Sequence, residues 1–219
     1  MPEIEKKGFS IPEKVLHVTA SVAEYNFIEN LKSRLLYLYG EIAEVGEGEG
    51  ILSFSSKTGE LIERIIAFNR EDHGKEVAER RPIYLFINSP GGSMNEGFAL
   101  VDAISLSKTP IYTVNIGEWS SMSFLIGITG HKRLSFPNAT FLLHDGSSGA
   151  YGSTNKVQDR VKFEERYEAE VVKEHVLKHS NMTSTVYDAL ARVEYYMLPG
   201  DAMKHGFIDE IITDIDAIF

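Results

Sequence analysis

The chain has 219 residues, 43% of them hydrophobic and 25% charged, a balance that suits one soluble globular domain with a sizeable core. Twenty-two basic residues against 32 acidic give a formal net charge of -10, which argues against a general affinity for nucleic acid. There are no cysteines, so disulfides, thiol catalysis and cysteine-bound zinc are excluded.

In chain order, residues 1–24 are expected to form an N-terminal arm and 25–219 a single domain. Met1 to Lys14 lacks the apolar stretch of a secretory signal, and Phe124 to Ile128, the most hydrophobic run, is far too short to span a bilayer; the expected location is the cytoplasm. Residues 25–34 have helical spacing and lead into an apolar strand, Leu35 to Tyr39. The segment 44–50 (EVGEGEG) reads as a solvated loop. A helix over 59–69 follows, with Leu61, Ile62, Ile65, Ile66 and Phe68 on its buried face. The charged stretch 70–81 has no apolar period and is expected as a loop or a frayed helix end.

Ile83 to Ile87 is a continuous apolar run, as in a parallel strand covered on both faces, and it ends in Asn88-Ser89-Pro90-Gly91-Gly92. A helix over 94–107, a strand over 111–116, a turn at Gly117, a short helix over 120–130 and a strand over 139–143 complete a βαβαβ rhythm, hence a parallel sheet. Beyond the glycine- and serine-rich residues 146–153, a long helix spans about 154–179, with Ser153 or Thr154 as cap. A helix over 181–193 follows. Pro199 and Gly206 bracket a short last helix before a closing strand, 207–213.

Three places at strand ends carry chemistry. Ser121 stands where a strand turns into a helix. A hydroxyl there is exposed beside free helix-start N–H groups, which suits a nucleophile with an oxyanion hole and equally suits a helix cap. Gly91 and Gly92 let backbone N–H groups approach a ligand closely, so the amides of Gly92 and Met122 can share an oxyanion; a plain tight turn would need the same glycines. His144, directly after Phe141-Leu142-Leu143, lies in the same layer and is a general-base candidate. His175 and His179 are spaced i, i+4, but no third ligand accompanies them, and no metal site is expected.

The segments FINSPGGSMNEGFALVDAI, GEWSSMSFLIG, FPNATFLLHDGSSGAYG and HGFIDEII together resemble the Clp protease proteolytic subunit family, in order from about Tyr25 to Ile212. The resemblance implies an α/β fold of the kind shared with crotonases, stacked βαβ units with a parallel sheet and a protruding handle helix, here 154–179. It implies a serine endopeptidase with Ser121 as nucleophile and His144 as base, and Gly92 and Met122 as oxyanion amides. Residues 146–152, with Gly146, Gly149, Ala150 and Tyr151, would pair with the substrate backbone and help dock two rings. The third triad member falls on Glu194, where the family has aspartate; Asp188 and Asp201 are the fallback. Trp119 and Ser120 replace small apolar residues, and Asp145 replaces a glutamine. The implied assembly is a homo-oligomer of two stacked seven-membered rings that receives unfolded polypeptides from an AAA+ unfoldase. That unfoldase would spend the ATP, with no cofactor on this chain and no membrane or nucleic-acid partner. A non-catalytic subunit of such a ring, a crotonase-type acyl-CoA enzyme and a signal-peptide peptidase with a Ser–Lys dyad stand as alternatives.

Overall fold

The structure is a computed structural model that describes residues 32–43, 57–146 and 149–218. The chain divides into two units, 1–35 and 36–219, and the second holds the sheet and its helices. The expected arm at 1–24, most of the expected helix at 25–34 and the loop at 44–50 lie outside the described residues.

Strand β1 (Leu35–Tyr39) agrees with the expected apolar run. Helix α1 (Lys57–Glu71) buries Leu61, Ile65 and Phe68 at i, i+4, i+7; of the other two residues expected on that face, Ile62 is half-buried and Ile66 is exposed, because the stripe is narrower than five apolar residues. The charged stretch after it is tied down: the buried Asp72 carboxylate accepts from Lys75 Nζ at 2.7 Å and from the Thr109 hydroxyl at 3.1 Å. A 3₁₀ turn, Val77–Glu79, leads to β2 (Ile83–Ser89), whose burial on both faces fits its unbroken apolar sequence. Helix α2 (Met94–Leu106) starts at Ser93, whose hydroxyl accepts from the Glu96 N–H.

Strand β3 runs over Ile111–Ser120, four residues beyond the expected end. Gly117 marks a bulge, not a turn. The register with β2 passes from Ile87↔Asn115 to Ser89↔Trp119, and a Cβ on Gly117 would stand 2.6 Å from Asn88 Oδ1. The extension carries β3 from one partner to another: residues 112–115 pair in parallel with β4 (Lys132–Ser135), residues 118–120 with β5 (Thr140–Leu143). Between them stands α3 (Met122–Ile128), with every residue buried.

The long expected helix is three consecutive helical segments: α4 (Thr154–Tyr167), a π-helical turn (Glu168–Val172) and α5 (Lys173–Lys178). Helix α6 (Ser184–Leu190), strand β6 (Tyr195–Met197), helix α7 (Pro199–Lys204) and strand β7 (Glu210–Ile211) complete the unit. The last helix begins at Pro199, and Gly206 leaves it at φ 73°, as the Pro and Gly signals indicated. The sheet runs β1-β2-β3-β4-β7, with β5 and β6 branching from the end of β3; β5–β6 is antiparallel. The fold is thus α/β with a mostly parallel sheet, and Leu38, Ile83, Leu85, Ile87, Trp119 and Phe141 fill its core.

Candidate active site

Ser121 joins β3 to α3 at φ 54° and ψ -126°, a conformation that a side-chain-bearing residue adopts only under constraint, at a cost of about 1–3 kcal/mol. The constraint is visible. The Ser121 N–H donates to the Leu142 carbonyl at 3.1 Å, and its carbonyl accepts from Phe124 N–H at 3.0 Å. The buried Ser123 hydroxyl accepts from Ser120 N–H at 2.8 Å and donates to the Ser89 carbonyl at 2.5 Å. Gly91, at φ 96°, presses on the same corner: a Cβ there would lie 2.6 Å from the Ser120 carbonyl and 2.8 Å from Ser121 Cβ. The bulky Trp119 is accommodated because α3 offers it Gly127, where a Cβ would approach the indole to 2.4 Å.

Gly92 sits across from Ile42 in a parallel bridge, flanked by the bonds Ile42 N–H to Gly91 carbonyl (2.8 Å) and Ser93 N–H to Ile42 carbonyl (2.7 Å). The amides of Gly92 and Met122 donate to no carbonyl among the described residues. For Met122, the first residue of α3, that is the ordinary condition of a helix start.

His144 leaves the end of β5 half-buried. Its Nε2 is sealed from solvent and has no hydrogen-bond partner, so no bond to the Ser121 hydroxyl is formed. An orphaned ring nitrogen carries a desolvation cost that a reacting hydroxyl or a substrate would relieve. The same cleft is lined by Ser121, Met122, His144 and Gly146, four of the sequence-derived candidates. Gly149, Ala150 and Tyr151 are exposed, belong to no helix or strand and make no backbone hydrogen bond among the described residues.

Glu194 is exposed, and its Oε2 accepts the Tyr196 hydroxyl at 2.8 Å. It is not bonded to His144. The β5–β6 ladder pairs Leu143 with Tyr195, so one further step of that register sets Glu194 opposite His144. Of the fallback acids, Asp188 lies 2.6 Å from Lys173 Nζ and Asp201 3.2 Å from Lys204 Nζ.

The cleft also holds Glu168, which the sequence pattern did not single out. Burial raises its carboxyl above the usual range, the Tyr187 hydroxyl bond (2.5 Å) lowers it, nearby Asp145 raises it and Lys173 lowers it, with a net rise. A signal existed: Glu168 stands four residues before Val172 and eight before Val176, an acid in line with the buried stripe of the helix. His175 and His179 serve the packing of α5. The neutral His175 ring donates from Nε2 to the Leu125 carbonyl at 3.0 Å, and among the described residues no three acids or histidines converge as a metal site.

The sequence pattern of the Clp protease family matches residues 57–214. The ATP-dependent Clp protease proteolytic subunit of Streptococcus mutans serotype c is 29% identical over 187 residues, covering 84% of this chain and 87% of the relative. That of Lactococcus lactis subsp. cremoris is 25% identical over 211 residues, 94% and 98% of the two chains. A constrained serine at a strand–helix corner, an orphaned histidine nitrogen beside it and this family match, which covers most of the chain, lead to one conclusion: the chain belongs to the Clp protease family and is a serine peptidase of that type.

Proposed function

We propose that Ser121 is the nucleophile and His144 its general base in peptide-bond hydrolysis. The observation that carries this is the solvent-sealed, unpartnered Nε2 of His144 in the cleft that Ser121 lines. In the first half-reaction, the Ser121 hydroxyl oxygen bonds to the peptide carbonyl carbon while its proton passes to His144 Nε2. The carbonyl oxygen becomes an oxyanion facing the Gly92 and Met122 amides. Collapse breaks the C–N bond, and His144 returns the proton to the leaving amine. Water, deprotonated by His144, then releases the acyl group and regenerates the hydroxyl. These steps call on no metal or cofactor. Support for Glu194 as the acid that orients His144 comes from the β5–β6 register, which a carboxylate can exploit once the imidazole turns toward it. The open backbone at Gly146, Gly149, Ala150 and Tyr151 suits an extended peptide laid along it.

At the level of the particle, the reading is a homo-oligomer of two stacked seven-membered rings in the cytoplasm, fed with unfolded polypeptide by an AAA+ unfoldase. Two relatives' names, ATP-dependent Clp protease proteolytic subunit, support an ATP-consuming partner. Among the described residues no helix is long and apolar enough to cross a membrane.

A second reading, a non-catalytic ring subunit, draws on the commitment of Glu194 to Tyr196. Labelling of the assembled protein with a fluorophosphonate separates the two. Active protein forms an adduct on Ser121, and S121A loses both the adduct and peptidase activity by about 10⁶-fold, the scale seen when a serine nucleophile is removed. Unlabelled Ser121 in assembled particles decides for the non-catalytic subunit.

A further inference from the structure

The cleft beside Ser121 contains a chemistry that bond cleavage does not use. Met94, Met122, Leu125, Leu143 and Val172 give it apolar walls, and Glu168 interrupts them with a carboxylate. An apolar pocket for an apolar side chain gains nothing from an acid in its wall, because the charge must be stripped of water. Glu168 is held in place: Oε1 accepts the Tyr187 hydroxyl at 2.5 Å, and Oε2 has no partner among the described residues. The nearby cation is already engaged, since Lys173 Nζ lies 2.6 Å from Asp188 Oδ1 and 5.9 Å from the centre of the Tyr187 ring. Asp145, also on the cleft wall, adds a second negative charge that acts on Glu168. The π-helical turn that begins at Glu168 is the kind of local widening that accompanies functional positions in helices.

Aliphatic walls ending in an uncommitted carboxylate oxygen match one class of side chain, an aliphatic stem with a cationic head. As it stands the cleft holds about 30 Å³ of cavity volume, room for roughly two waters, so its flexible Met94 and Met122 walls must give way to admit such a stem. We propose that this cleft receives the side chain on the acyl side of the scissile bond, and that Glu168 makes it select lysine or arginine there. The inference rests on the reading of Ser121 as nucleophile.

The test uses the assembled protein and four fluorogenic peptides identical except for Lys, Arg, Leu or Glu at that position, with fluorophosphonate labelling of Ser121 in parallel. The expected result is kcat/KM for the Lys or Arg peptide about tenfold or more above the Leu peptide, with the Glu peptide slowest. In E168Q the ratio of Lys to Leu turnover falls toward one. In E168K the ranking inverts, so that the Glu peptide overtakes the Lys peptide; a purely structural role for Glu168 would slow all four together. If either variant fails to fold, the wild-type ranking alone decides. Labelled Ser121 with the Leu peptide fastest overturns the cationic preference and leaves the nucleophile standing. No label and no cleavage of any peptide removes both.

Discussion

Glu194 is one methylene longer than an aspartate, and its carboxylate rests on a hydroxyl two residues along the chain, at Tyr196. That bond occupies Oε2 only. If the acid orients His144, then loss of its charge is costly even where shape is kept: E194Q is expected to lower kcat by about 10⁴-fold, as for the acid of other serine peptidase triads. Tyr196→Phe removes the competing donor and is expected to raise kcat, with KM little changed. Steady-state kinetics on both variants checks this, and E194Q within twofold of wild type would sink the role of Glu194. Ser121 and Glu194 thus differ in kind. The serine is clamped by backbone bonds and by Gly91, whereas the glutamate is exposed and placed by register alone.

Among the elements, the most legible were those whose sequence left no second option. The unbroken apolar runs Leu35–Tyr39 and Ile83–Ile87 emerged as strands, and Leu61, Ile65 and Phe68 emerged buried while Ile66, read on the same face, is exposed. Strands β4 and β6 were not legible. Lys132-Arg133 and Tyr195-Tyr196 carry no distinctive period, and these short strands exist because β3 and β5 offer edges to pair with. Gly117 misled for a related reason, since a glycine needed for close approach to Asn88 looks in sequence like one needed for a turn. Ser121 and His144 could be picked out because they end strands, while Glu168 was hidden among the many acids of its helix. The packing of α5 on α3 has a pH signature. Burial holds the His175 ring down at about 4, with the Leu125 hydrogen bond raising it and His179 and Lys178 lowering it. The folded state therefore resists protonation that the unfolded chain accepts near pH 6.5, so stability is full above that value and falls as pH drops toward 4, by about 3 kcal/mol over the window. Urea unfolding of wild type and H175Q at pH 7.5, 5.5 and 4.5 measures it. The variant should lose less stability across this range, and parallel slopes would refute the assignment.

For the molecule as a whole, α4 meets the protomer core at its last residue, Tyr167, whose ring stands edge-on to Phe98. It buries no residue, and Val161, Phe163 and the fully exposed Tyr151 before it present apolar surface to solvent. If the chain assembles as proposed, that surface is a contact between copies. F163D is expected to shift the protein to smaller species in analytical ultracentrifugation while leaving protomer unfolding within about 0.5 kcal/mol; intact particles would argue that α4 lies outside the interface. Gly91 bears on how the two sides of the site are held. With no side chain between them, the Gly91–Gly92 loop and the serine corner pack in direct contact. His144 comes from the far limb, at the end of a strand whose ladders to β3 and β6 are three residues each. Those ladders are not loose, because Phe141, Leu143 and Met197 belong to the core and the Ser121 N–H is itself bonded to the Leu142 carbonyl, so a shift of the histidine limb is felt both by the core and by the serine corner.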